Sequence, residues 1–230
     1  MRNKKIISTM LFIAVLMITL VGVTGCAKSD IPKELGALTP IEFYEGEAFR
    51  IGDHQIGIDT FMLYALDAIP GFESEFGEGC WTQESIDLTW IKEAPQKAFI
   101  LYLTDIIASS IACDLYYNST KGELDDSVKE ICKEIAHERY LALLEAGMPE
   151  GVVSEESIYQ YSCSTYKLSY VVNELITVYG DDTDLVQASI MGMRDSIDIT
   201  FDYDRNINWD LVSLIDYSSA TAISSEQIIE

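Results

Sequence analysis

Between residues 96 and 117 the chain carries Phe99, Ile100, Leu103, Ile106, Ile107, Ile111 and Leu115 at helical spacing, with apolar side chains on nearly every side of the helix. A helix of that kind has no face to give to water, so the rest of the fold must be built around it. Lys97, Asp105 and Asp114 interrupt the run, which argues against a membrane span. The expectation is a central core helix wrapped by amphipathic neighbours.

Those neighbours can be placed from caps and stripes. Asp59 stands at the head of Ile58, Phe61, Met62, Ala65, Leu66 and Ile69, and Pro70-Gly71 is a stop signal. A third helix fits 124–146, beginning near Asp125 or Asp126, carrying Val128, Ile131, Ile135 and Ala142, and ending before Gly147. Ser154 followed by Glu155-Glu156 reads as an N-cap with acids in the first turn. The fourth helix then runs to about Val178, with Ile158, Tyr161, Thr165, Leu168, Val172 and Leu175 in its stripe. A short fifth fits 182–194. Residues 71–81 read as a loop with aromatic anchors.

Two segments change period. In 48–57, short alternating pieces flank Gly52-Asp53, the signature of a hairpin with a tight turn. In 197–203, Ile197, Ile199, Phe201 and Tyr203 alternate with Asp198, Thr200 and Asp202, as in a strand with one wet face. The expected fold class is α+β, mostly α. It has a helical body of four to five helices and a small antiparallel sheet pairing the 48–57 hairpin with the 197–203 strand.

Arg2, Lys4 and Lys5 precede an apolar run, Ile6–Val23, that closes on Val23-Thr24-Gly25-Cys26. A basic head, an apolar core and small residues at a cleavage site make a secretory signal, and the cysteine after Gly25 gives it the look of a bacterial lipoprotein signal. The alternative is a transmembrane helix at the lower edge of spanning length. The lipoprotein reading places cleavage after Gly25 and a lipid on Cys26. It divides the chain into a signal (1–25), lipidated Cys26 and a tether (26–45), a domain (46–216) and a flexible, Ser-rich tail (217–230). Acyl chains on Cys26 would hold the protein to the bilayer, at the outer face of the cytoplasmic membrane.

The removed segment holds three of the 15 basic residues and none of the 38 acids, so the remaining chain has a net charge of −26 against −23 for the whole. Such a surface repels nucleic acid, which is excluded as a partner. Cys80, Cys113, Cys132 and Cys163 include no C-x-x-C and read as small buried hydrophobes, with one or two bridges left open by an oxidising compartment.

Motifs for chemistry are sparse, and no catalytic residue or cofactor is expected. His137-Glu138 begins H-E-x-x-H, but residue 141 is Leu, which removes the metalloprotease reading. Ser164-Thr165-Tyr166-Lys167 matches the S-x-x-K of penicillin-recognising enzymes without the companion S-D-N and K-T-G elements. Asp202, Asp204, Asn206, Asn208 and Asp210 space oxygens like a calcium loop, yet Ile207 stands where that loop needs Gly and Ser213 where it needs Glu. Strand solvation explains the same acids. Phe72, Phe76 and Trp81 either lid the core or form an exposed patch for unfolded clients.

The order of elements resembles the N-terminal chaperone domain of SurA-like and PrsA-like foldase lipoproteins, especially versions from anaerobic Gram-positive bacteria often labelled peptidyl-prolyl isomerases. The resemblance rests on the lipobox, the tether, the strand–Gly-Asp–strand piece before a helix (Phe49–Phe61) and the Phe-Gly-x-x-x-Trp loop (Phe76–Trp81). The long apolar helix, the Ala-Gly-Met ending (Ala146–Met148) and the Ser-Glu-Glu helix (Ser154–Val178) complete it. It implies a chaperone that binds unfolded exported polypeptides in clefts between helices. Only 51 residues follow Tyr179, without a His, so a complete parvulin domain is not expected. A divergent prolyl isomerase and a ligand-binding or scaffold surface lipoprotein are the alternatives. An open apolar cleft between helices 96–117 and 155–178 would favour the chaperone, and a sealed core the scaffold.

Overall fold

A computed structural model describes residues 41–88, 91–148, 151–180, 182–197 and 202–218. The signal, Cys26 and most of the tether lie outside the described residues, as does the tail beyond 218. The fold is α+β and mostly α.

The chain enters through a hairpin of β1 (Glu47–Ile51) and β2 (His54–Gly57). Ile51 pairs with His54 across the Gly52-Asp53 turn. Gly52 has φ 54°, and a Cβ there would come within 3.3 Å of the Ile197 side chain, so both the backbone conformation and the close approach favour glycine. A second, shorter hairpin joins β3 (Ile86–Leu88) to β4 (Ile91–Glu93). Its arms of three residues are too short to declare a period, and the sequence reading passes over it.

Helix α1 (Ile58–Phe76) follows β2 directly. Asp59 does not cap it. Gly57 holds the cap position, and the Asp59 carboxylate, in the first turn, accepts from the Thr60 amide and from the Ser157 hydroxyl. The helix also continues through Pro70, contrary to the expected stop. A mid-helix proline costs about 3 kcal/mol, but Phe72, two residues further on, is fully buried against Phe99 and Tyr102. That burial offsets much of the local penalty.

Helix α2 (Pro95–Lys121) is the expected central helix, with 83% of its most apolar window buried inside the domain. By length and composition it is able to cross a membrane, but α1, α4 and α5 cover it instead. Helix α3 (Asp126–Glu145) packs on α4 (Glu155–Tyr179), and α5 (Thr183–Asp195) packs on both α2 and α4. Ser154 caps α4 by accepting from the Ser157 amide at 3.0 Å, and Asp182 caps α5 through the Leu185 amide at 3.2 Å. The Ser154 cap and the Gly147 and Gly180 stops were legible in the sequence, whereas the Asp182 cap was not read from it.

The C-terminal segment differs from expectation. Ile197 lies in a turn, Tyr203 opens the one-turn helix α6 (Tyr203–Asn206), and 198–201 fall outside the described residues. The Asp202 carboxylate caps α6 by accepting from the Asp204 and Arg205 amides, which ends any alternating strand at that point. The partner of the hairpin is the next stretch. Phe49 and Ile207 form an antiparallel bridge, and the Asn208 amide donates to the Ala48 carbonyl at 2.9 Å. The side-chain amides of Asn206 and Asn208 donate to the carbonyls of Arg50 and Glu47 at 2.7 and 2.8 Å. The two ends of the domain therefore meet at 206–208, while residues 198–201 of the expected strand lie outside the described residues. After α7 (Trp209–Val212), Tyr217 is fully buried against Phe99, with its hydroxyl donating to the Val212 carbonyl. The domain thus extends to Tyr217, which the reading assigned to the tail.

Candidate functional site

The aromatic residues of the 71–81 region form a cluster and not a surface. Phe72 is fully buried, with ring centroids of Phe76, Trp81, Phe99 and Tyr102 between 4.8 and 5.5 Å from its own. Edge and tilted contacts at these distances suit the aromatic quadrupole. Trp81 is half-buried and its indole N–H donates to Glu73 at 2.6 Å, which fixes the ring against the core. Phe76 is half-buried beside them. Phe72 therefore offers a client nothing as folded, a correction forced by the extension of α1 through Pro70. Phe76 and Trp81 present only partial faces.

The seam between α2 and α4 decides whether a client cleft exists. Ser110, Asp114, Tyr117 and Lys121 share one face of α2 and meet, in the same order, Ser164, Lys167, Tyr170 and Glu174 of α4. The hydroxyls of Ser110 and Ser164 lie 3.4 Å apart, and Lys167 pairs with Asp114 at 2.6 Å. Tyr117 meets Tyr170 edge-on at 5.2 Å, and Lys121 pairs with Glu174 at 2.8 Å while lying over the Tyr170 ring. The two helices run parallel, zipped by four successive pairs, and the Tyr64 hydroxyl donates to Ser110 from α1 at 2.7 Å. This seam is filled and polar along its outer edge. The same pairs remove the S-x-x-K chemistry, because Lys167 is engaged with Asp114 and Ser164 with Ser110.

Two polar junctions, the first partly buried and the second buried, tie the remaining elements to the core. Arg139 of α3 reaches both carboxylate oxygens of Asp67 on α1, at 2.7 and 3.1 Å. The Tyr161 hydroxyl of α4 donates to the same carboxylate, and the guanidinium stacks 5.1 Å over the Tyr161 ring. Burial pushes the Tyr161 phenol far up, and the Asp67 charge adds to it. On the other side, Arg194 of α5 donates to Asp105 of α2 at 2.8 Å, and Tyr203 donates to the same oxygen. Burial raises the Asp105 carboxyl above its ordinary value, and the Arg194 charge only partly reverses this. Asp105, read as an interruption of the apolar helix, is thus the anchor of α5 and α6. A charge set within an apolar stripe was the signal for it.

Of the calcium-like set, Asp202 and Asn206 have side-chain oxygens engaged elsewhere. Asp202 caps α6, and the Asn206 side-chain oxygen accepts from the Asp202 amide at 3.0 Å. The amide groups of Asn206 and Asn208 face β1. Among the described residues, no three His, Cys, Asp or Glu side chains converge as a metal site requires. His137 lies exposed on α3, 3.2 Å from Glu155.

Among the described residues, Cys80, Cys113, Cys132 and Cys163 are all free and buried. The spacing of Cys132 and Cys163 concealed that they are neighbours across the α3–α4 interface, in one buried cluster and near enough for each thiol to shift the other's pKa. Cys163 also lines a shallow pocket of about 380 Å³ at the C-terminal end of α2, together with Asn118, Glu123, Lys129, Tyr159 and Lys167. No protein-family model matches the chain, and neither a curated protein nor a solved structure is significantly similar to it.

Proposed function

We propose that this chain is a lipid-anchored extracytoplasmic protein whose domain works as a rigid acidic scaffold or binding module at the outer face of the membrane. It acts through its folded surface and catalyses nothing. The observation that carries the reading is the closed α2–α4 seam, because the foldase-like alternative needs an open apolar cleft there. Exposed large hydrophobics support the same side. Among the described residues they are Tyr44, Leu141, Val152, Val178, Tyr179, Leu185 and Leu214, spread along the chain from just ahead of the first hairpin to the segment after α7. The anchoring half rests on the Ile6–Val23 run and the Gly25-Cys26 junction.

Two measurements test it. Membrane fractionation should find the full chain in the membrane and Cys26→Ala released or retained as the uncleaved precursor. A mature Cys26→Ala chain that stays bound would end the lipoprotein reading. With the full chain in lipid vesicles, light scattering should show no protection of an aggregating unfolded polypeptide. A proline-limited refolding reaction, slow enough to follow by hand, should run at its uncatalysed rate. Stoichiometric protection would establish the foldase-like holdase instead, and acceleration the divergent isomerase.

A further inference from the structure

We propose that Cys132 and Cys163 form a redox-active dithiol which closes to a disulfide between α3 and α4, with Cys163 as the entry thiol for a small-molecule disulfide reaching it through the pocket at the end of α2. Three observations on the page carry this. Cys132 and Cys163 belong to one buried cluster across the packed α3–α4 interface, near enough for each thiol to act on the other. Only Cys163 lines the pocket, while Cys132 is fully buried behind it. The surroundings of Cys163 suit a thiolate, since Cys132, the Tyr159 hydroxyl and Lys167 are each placed to lower its pKa. These effects outweigh burial and hold the Cys163 thiol below its ordinary value, whereas Cys132 is pushed up. Cys113 belongs to the same apolar cluster, but burial raises its thiol to about 12.

The chemistry balances with a disulfide RSSR as oxidant. The Cys163 thiolate attacks one sulfur of RSSR. A Cys163–SR bond forms, the RS–SR bond breaks, and the departing RS⁻ takes up the proton that Cys163 gave to solvent. Cys132 then loses its proton and attacks the Cys163 sulfur. The Cys132–Cys163 bond forms and the second RS⁻ leaves, to be protonated in turn. Two protein thiols are oxidised by two electrons in all, and RSSR is reduced to two RSH. An extracytoplasmic compartment, as proposed above, supplies such oxidants. The inference itself is tested on purified protein and does not stand or fall with the anchoring.

The full chain, purified reduced in detergent, is treated with oxidised glutathione under native conditions, unfolded in alkylating agent and mapped by peptide mass. The expected product is the Cys132 peptide joined to the Cys163 peptide, two hydrogens lighter, with Cys80 and Cys113 alkylated. Cys132→Ser should instead hold one glutathione on Cys163, and Cys163→Ser should leave Cys132 unmodified. The bond closes a loop from Cys132 to Cys163, and a loop of that length should raise the melting temperature by roughly 10 °C. Wild-type protein that keeps both thiols after this treatment overturns the proposal, as does a bond mapped to Cys113. Glutathione on Cys132 in the Cys163→Ser protein overturns the assignment of the entry thiol. Should either variant misfold by circular dichroism, the wild-type map alone decides.

Discussion

Replacing Asp67 with Ala strips one carboxylate from the place where α1, α3 and α4 meet. Its two oxygens receive both arms of the Arg139 fork and the Tyr161 hydroxyl. Without them the guanidinium is left over the Tyr161 ring with no counter-charge. Breaking a fully buried pair by removing one member costs about 3–5 kcal/mol. Here the side chains of Arg139 and Asp67 keep 17% and 30% of their surface, so water recovers part of the loss and about 2–3 kcal/mol is the expected cost. For a domain of this size that is a fall in melting temperature of roughly 5–10 °C. Arg139→Met keeps the stacked stem and removes the charge. The double variant should therefore recover part of the loss, with a coupling of about 1–2 kcal/mol. Urea denaturation of the four proteins of the cycle, followed by circular dichroism at fixed pH, measures it. A coupling below about 0.5 kcal/mol, the additivity limit for independent sites, would refute the account of this junction as a desolvated unit.

Two further outcomes follow from the other side of the core. The folded Asp105 carboxyl holds its proton to a higher pH than the unfolded one, whose ordinary value is 3.8. Over that window the native state binds more protons, so this group's contribution to stability is present below 3.8 and declines as pH rises through the folded value. Denaturation from acid to neutral pH should show the wild type losing stability relative to Asp105→Asn, and a difference that grows instead would reverse the assigned cause. Asn206→Ala leaves the Arg50 carbonyl and the Asp202 amide without their partners. It should cost about 2 kcal/mol, with amides of β1 losing protection first. Unchanged β1 protection would show that Asn206 does not hold the hairpin.

Most of the helical frame was written in local signals. Ser154, Gly147 and Gly180 mark chain reversals by cap chemistry that needs no tertiary information, and Gly52-Asp53 does the same for the first hairpin. Errors arose where a distant contact overrode a local rule. Pro70 lost to the burial of Phe72, and Tyr203, expected to end a strand, opens a helix under the Asp202 cap. Asn206 and Asn208 then supplied the side-chain bonds that dock the C-terminal segment on β1. The polar pairs of the candidate site were less legible still. Asp67, Arg139 and Tyr161 lie on three helices, and Cys132 and Cys163 are 31 positions apart in the chain. Their approach depends on how α3 folds back along α4. No periodicity within either helix encodes that register.

Hydrogen exchange of the full chain in lipid vesicles tests the central claim, that the α2–α4 seam is permanently closed. If the zipper from Ser110–Ser164 to Lys121–Glu174 holds, amides of Leu103–Ala112 in α2 and Leu168–Leu175 in α4 exchange only through global unfolding, with or without an unfolded polypeptide present. Joint exchange of these two segments by an opening well below the global free energy, or a change in it on adding that polypeptide, would mean that the seam parts to form a client cleft.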